Sequence, residues 1–221
     1  MARRKQVAVI GLGRFGASMC YTLMRQDVEV LAVDSDERRV AELSTLATHV
    51  VQADSTDDRV LSELDIASFD SVVIAIGEDV QASILTALMV KQLGVEDIWA
   101  KAKSDYHAKV LELIGVDHVV HPERDMGTRI ARLLATDSLL DFIELGDEHQ
   151  LVELRAPESM IGHTLRDLDL RAKTGCIVIG TKHDDHTTLA PDAEMLIERD
   201  DVLLVIGGAD DLRKLSERPG R

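Results

Sequence analysis

The chain has 221 residues, with 40 acids against 25 lysines and arginines, for a net charge of −15. So acidic a surface argues against general binding to DNA or anionic membranes, and an aromatic content of 3% leaves few flat side chains on which bases could stack. Hydrophobic residues make up 45%, enough for a packed core in one large or two small domains.

After a short basic start, MARRK, which reads as a solvated tail, comes VAVI (7–10). It is apolar on both faces, as a central strand of a parallel sheet would be. GLGRFG follows. Gly11 allows a tight turn, Gly13 leaves room for a pyrophosphate against the backbone, and Gly16 lets the next helix, expected over 15–26, pack closely on the strand. The N–H groups that open this helix would meet phosphate at the positive end of the dipole. The second apolar run, VEVLAVD (28–34), ends in Asp34, 23 residues after Gly11. The dinucleotide fingerprint places the acid that binds ribose hydroxyls at about this spacing. A glycine turn that serves only helix packing is the alternative, and the spaced acid argues against it.

Further strands are expected at 49–52, 71–76, 98–102 and 118–121, with helices near 37–46, 57–65, 79–93, 105–114 and 123–135. The helix at 79–93 carries a stripe of Val80, Ile84, Leu85, Leu88 and Leu93, and the one at 123–135 carries Ile130, Leu133 and Leu134. Both hold more apolar surface than one sheet face requires, so both are expected to make contacts between subunits. The alternation predicts an α/β, Rossmann-like doubly wound parallel sheet over 1–136. After about Thr136 short runs dominate: DFIEL, QLVELRA, GCIVIGTK, TTLA and EMLIERDDVLLVIGG, separated by turn signals at Asp184–Asp185, Ala190–Pro191 and Asp200–Asp201. They predict a second, smaller α+β domain over 137–221, ending in a helix near 209–217.

The chain has no GxSxG, HExxH or Walker GKS/GKT motif. His118 and His121, three apart on an expected strand, face opposite sides. His183 and His186 flank Asp184–Asp185 in an expected hairpin turn, which reads as a solvated turn rather than a metal site. Cys20 and Cys176 have no CxxC spacing and read as reduced core cysteines of a cytoplasmic protein. No apolar run reaches the ~18 residues needed to span a bilayer. Gly11, Gly13 and Arg14 interrupt the run after MARRK, which argues against a signal peptide.

Taken in order, GLGRFG (11–16), VDSD (33–36), QADST (52–56), IAIG (74–77), IWAKA (98–102) and HPERDMG (121–127) resemble the RCK family. More narrowly, they resemble the regulatory subunits of Ktr-type bacterial potassium uptake systems. The likeness covers essentially the whole chain, including RAKTGCIVIGTKHDD (171–185). TrkA-type proteins, some of them NAD(H)-binding regulators, are the nearest alternative, but they commonly carry two such units in tandem where this chain has one. The resemblance implies a cytoplasmic regulatory subunit, not an enzyme. It would form a homo-octameric ring, peripheral on the inner face of the cell membrane and docked on a KtrB-like potassium-translocating subunit, with no nucleic-acid partner. ATP and ADP would occupy the Rossmann site and favour different ring shapes.

The same resemblance assigns the site. Gly11, Gly13 and Gly16 would form the turn, with Arg14 and Phe15 between them. Asp34 would hold the ribose hydroxyls, assisted by Asp36. Ala53 and Asp54 would lie at the adenine edge, Ile76 and Gly77 would line the pocket, and Lys101 would point toward phosphate. Glu123 matches a family acid that sits near paired phosphates and helps place a cation, Mg²⁺ or else Na⁺ or Ca²⁺. Stabilisation of a helix N-terminus is the alternative for that acid. In the second domain the resemblance suggests cyclic di-AMP between two copies, with Arg171, beside Lys173, on phosphate.

An arginine inside the glycine turn separates the candidate ligands. Backbone N–H groups already hold the diphosphate of NAD. The terminal phosphate of ATP adds charge beyond that cradle, and the guanidinium fork of Arg14 can meet it bidentately. It would do so in its own subunit or, as the resemblance implies, across a dimer. An NAD(H)-linked oxidoreductase and an NADH-sensing repressor are the competing readings, and Asp34 suits both. The small second domain supplies no evident catalytic pair, and no DNA-binding module is visible.

Overall fold

The β-branched runs form the middle of a parallel sheet. The computed structural model describes residues 3–44, 47–146, 148–184 and 186–216. Met1 and Ala2 of the basic start, Thr45 and Leu46 at the end of the expected second helix, Asp185 of the hairpin turn and residue 217 of the last helix lie outside the described residues. By packing, the chain divides into two units, Met1–Arg124 and Asp125–Arg221, whereas the change of pattern in the sequence falls after Thr136.

In the first unit the elements run β1 (Gln6–Ile10), α1 (Arg14–Arg25), β2 (Glu29–Asp34), α2 (Glu37–Leu43), β3 (His49–Gln52), α3 (Asp58–Glu63), β4 (Ser71–Ile74), α4 (Val80–Gln92), β5 (Ile98–Lys101), α5 (Asp105–Ile114) and β6 (His118–Val120). All strands are parallel, in the order β3-β2-β1-β4-β5-β6. This is the Rossmann order, whose reversal between β1 and β4 opens a crevice at the carboxyl ends of the strands. One face of the sheet buries Ile10, Ile74, Ile98 and Leu111, and the other buries Val9, Val30 and Cys20. Burial pushes the Cys20 thiol up to about 11.

Helix α4 differs from its sequence pattern. Its buried residues are Ser83, Thr86, Ala87 and Val90, while Leu85 and Leu88 of the expected stripe are exposed. The helix is apolar nearly all round, so periodicity could not tell which side meets the sheet. Small residues take that side because they let the helix lie close. Helix α6 (Pro122–Ala135) buries none of its residues, and Met126, Ile130 and Leu134 form an exposed stripe along it.

The second unit contains β7 (Leu139–Glu144), β8 (His149–Arg155), α7 (Leu165–Leu168), α8 (Leu170–Thr174), β9 (Ile177–His183), β10 (His186–Leu189), β11 (Val202–Gly208) and α9 (Ala209–Ser216). Its sheet is antiparallel, in the order β10-β9-β11-β8-β7. The core holds Phe142, Val152, Leu154, Cys176, Ile197, Leu203 and Val205. The turn signals are explained by backbone shape: Asp184, Ala190 and Asp200 all have positive φ. The run EMLIERDDVLLVIGG is a strand only from Val202 onward; before it, Leu196 makes a single bridge to Thr164. Among the described residues no helix is long and apolar enough to cross a membrane.

Candidate functional site

The helices of the first unit close their N-termini in two ways. Asp36, Asp57, Asp79 and Ser104 cap α2, α3, α4 and α5 with a side-chain oxygen. At α1 the N-cap is Gly13, no side chain caps it, and its first turn carries no acid. The N–H groups that open α1 therefore have no side-chain acceptor, at the positive end of a 12-residue helix.

The turn before α1 is shaped by contact. Gly11 has φ +97°, and a Cβ there would lie 2.9 Å from the backbone of Ala75 and Ile76. A Cβ on Gly16 would lie 1.9 Å from the Gly11 carbonyl oxygen. Around Gly13 no atom lies within 4 Å of such a Cβ, so the fold itself has no need of this glycine and the open space faces the cleft.

That cleft, about 860 Å³, lies at the carboxyl ends of the strands. Gly11, Gly13, Arg14, Phe15, Asp34, Ala53, Asp54, Ile76, Gly77, Lys101 and Glu123 all line it. Gly16 does not; it packs under the turn. Asp36 also stays out of the lining. Its carboxylate accepts the Arg38 N–H at 2.8 Å as the cap of α2. Arg171 sits exposed on α8 in the second unit.

Asp34 is buried and held on both oxygens. Oδ2 accepts the Leu12 N–H at 2.6 Å and Oδ1 accepts the Asp36 N–H at 2.8 Å. These bonds fix the orientation of the carboxylate, with lone pairs remaining for hydroxyl donors. Asp54 accepts from the backbone and hydroxyl of Thr56, and these bonds hold its carboxyl below the usual range.

At the other end of the cleft Lys101 Nζ lies 2.5 Å from Glu123 Oε1 and 5.9 Å from the centre of the Phe15 ring. A Cβ on Gly77 would sit 3.0 Å from that nitrogen, so Gly77 clears its path. The hydrogen bond from Lys101, more than any other cause, lowers the Glu123 carboxyl, with a smaller contribution from Arg14. Arg14 is exposed and makes no hydrogen bond or salt bridge among the described residues.

Two further cations line the cleft that sequence reasoning missed. Lys103 donates to the Glu78 carbonyl at 3.2 Å. Its own backbone N–H is accepted by Nδ1 of His107, a buried side chain whose pKa is lowered by burial and, less, by His121. Arg39 donates to Asp34 Oδ2 at 3.3 Å. Its signal was present in the spacing, one helical turn after the Asp36 cap. Four cations thus converge on one cleft of a chain with a net charge of −15.

The expected histidine pairs separate. His118 stacks on Trp99 at 4.0 Å, and His183 Nδ1 lies 2.5 Å from the buried Asp201. No group of three or more candidate ligands able to hold a metal occurs among the described residues.

Residues 7–122 match the TrkA-N domain model and residues 150–220 the TrkA-C domain model. The chain is 48% identical to Ktr system potassium uptake protein C of Bacillus subtilis, covering 97% of each chain. To Ktr system potassium uptake protein A of the same organism it is 44% identical, covering 96% of each. Among solved structures it resembles the GsuK channel, with a TM-score of 0.70 and 22% identity over 98% of this chain and 40% of that one. Another GsuK structure, with a TM-score of 0.68 and 22% identity over 99% of this chain and 40% of that one, is described as bound to NAD. With a Rossmann-ordered first sheet, an antiparallel second sheet and a sequence likeness that runs nearly end to end, the chain belongs to the RCK family of TrkA-N and TrkA-C domain proteins that includes the Ktr system potassium uptake proteins A and C.

Proposed function

We propose that the chain is a nucleotide-sensing regulatory subunit of a potassium transporter, not an enzyme, in which ATP and ADP share the cleft and favour different shapes of a homo-octameric ring. The observation that carries this reading is the uncapped start of α1 with Arg14 unpaired beside it. Backbone N–H groups suit the phosphates common to both nucleotides, and Arg14 supplies a donor fork for the additional one. A ligand shifts the ring only by its difference in affinity for the two shapes, so a residue that reads the terminal phosphate is what sensing needs.

Glu123, held ionised beside Lys101, is an anion at the phosphate end and would share a Mg²⁺, Na⁺ or Ca²⁺ with the nucleotide. The exposed apolar residues Leu85 and Leu88 on α4, Tyr106 and Leu113 on α5, and Met126, Ile130 and Leu134 on α6 support burial between subunits. The names of its relatives support a membrane potassium-translocating partner of the KtrB kind and a peripheral cytoplasmic location. In this reading residues 1–136 are the nucleotide domain and 137–221 the ligand-sensing domain, where exposed Arg171 and Lys173 would meet the phosphates of cyclic di-AMP.

Calorimetric titration of the full chain with ATP, ADP and NADH, with light scattering on each mixture, tests the reading. ATP and ADP should bind, and the mass should be that of an octamer. NADH displacing both far better, as an NAD(H)-linked regulator or oxidoreductase would require, or a monomer with nucleotide present, would overturn it. Absence of heat with cyclic di-AMP at high micromolar concentration would remove the second ligand.

A further inference from the structure

The base-binding end of the cleft lacks an aromatic platform. Phe15 is the one aromatic side chain among the lining residues, and it stands at the phosphate end beside Lys101. The side chains named for the adenine edge, Ala53 and Asp54, and their neighbours Ser55 and Thr56 are small or polar. Arg39 is different: its guanidinium is planar, it lines the cleft, and its side chain is 45% exposed.

Arg39 is also held in orientation. One N–H reaches Asp34 Oδ2 at 3.3 Å, and Nε lies 4.0 Å from Asp36 Oδ2. Both contacts use the edge of the guanidinium, where its donors are. None of the cation–π pairs among the described residues includes Arg39, so no aromatic ring among them stacks on its flat faces. An arginine tied edge-on to the carboxylate that holds the ribose presents its face where the attached base must emerge. Such faces stack on nucleobases, and larger ring systems gain more.

We infer that Arg39 is the base-covering residue of this cleft, stacking on the purine of the bound nucleotide while Asp34 holds its ribose; the inference rests on the nucleotide reading above. Arg39 therefore acts on the part shared by AMP, ADP and ATP, and sets a preference for purines over pyrimidines. Arg14, by contrast, acts on the phosphates.

Titration of AMP, ADP, ATP and CTP into the full-length wild type, Arg39→Lys and Arg39→Met tests this. Both variants should weaken AMP, ADP and ATP by a similar factor, about three- to tenfold, and narrow the preference for ATP over CTP. Arg39→Lys keeps the charge but not the plane, so it should fall with Arg39→Met. If Arg39→Lys binds like wild type while Arg39→Met weakens, the residue supplies only charge and the inference is wrong. Losses that grow with phosphate number would make it a phosphate ligand, and unchanged or tighter binding in both variants would make it a competitor for Asp34. Wild-type protein that binds none of the four overturns the nucleotide reading itself, and this inference with it.

Discussion

The glycine turn before α1 and the turn before α7 differ in what accepts their backbone donors. In the parallel unit, α1 starts at the glycine turn with no side-chain cap, and four cations face the cleft beside it. In the antiparallel unit α8 also starts without a side-chain cap, but two other turns close on themselves. Thr164 and Asp167 form a reciprocal capping box at α7, and buried Asp201 accepts the Glu198 N–H while pairing with His183. What sets the start of α1 apart is that its open N–H groups lie beside a cleft lined by cations.

Two neighbouring glycines give the sharpest way to break this comparison. Gly16→Ala puts a methyl group 1.9 Å from the Gly11 carbonyl, against backbone that cannot step aside. It should destabilise the first unit by about 3 kcal/mol, read as a lower thermal midpoint. Gly13→Ala meets nothing within 4 Å and should melt like wild type while losing nucleotide. If the two variants melt alike, or Gly13→Ala still binds nucleotide fully, the division into a packing glycine and a ligand glycine fails.

Next in size is the open cation of the turn. A hydrogen bond to a charged phosphate is worth about 1.5–3 kcal/mol, so Arg14→Ala should weaken ATP by about ten- to a hundredfold and ADP much less. Equal losses for the two would place Arg14 on the shared diphosphate. Glu123→Gln should change affinity less, yet flatten the dependence of ATP binding on added Mg²⁺. A dependence as steep as that of wild type would leave Glu123 as a helix-start acid paired with Lys101.

The smallest effects concern two histidines whose responses to pH have opposite signs. His107 titrates lower in the folded chain than its ordinary 6.5, because of burial and then His121. Its neutral form is favoured, so its contribution is full above pH 6.5 and declines as pH falls through the folded value. His183 titrates higher than 6.5, because of its hydrogen bond to Asp201 and then that residue's charge with those of Asp184 and Glu198. Its contribution is full below pH 6.5 and is lost as pH rises through the folded value. Urea unfolding of the full chain between pH 5 and 9 checks both. His107→Leu should flatten the acid limb and His183→Gln the alkaline one, and a variant that leaves its own limb unchanged removes that histidine from the account.

Much of the first unit was legible because its signals are local. A β-branched run, three glycines and an acid at the end of the next strand place the turn and Asp34 without knowledge of the rest, and β1, β2 and β3 fall where their residues suggested. The capping role of Asp36 was not legible, because an acid just past a strand end can serve ribose or a helix start, and only the backbone of α2 shows the cap. Arg39 and Lys103 escaped notice because a cation in an exposed helix or loop looks the same whether it faces solvent or a cleft. The short helices α7 and α8 have four and five residues, too few for periodicity to show.

The sequence by itself determined the period of each element and the chemistry of the turn. Strand alternation, helix spacing and the φ that glycine permits are properties of a few adjacent residues. Only the tertiary structure decided which side of α4 meets the sheet, with Ser83 and Ala87 inside and Leu85 and Leu88 outside. Only it set Lys101 against Glu123, a pair brought together from β5 and α6. The reason is that packing is settled by shape and charge between segments distant along the chain, and no local pattern records which distant surface a residue will meet.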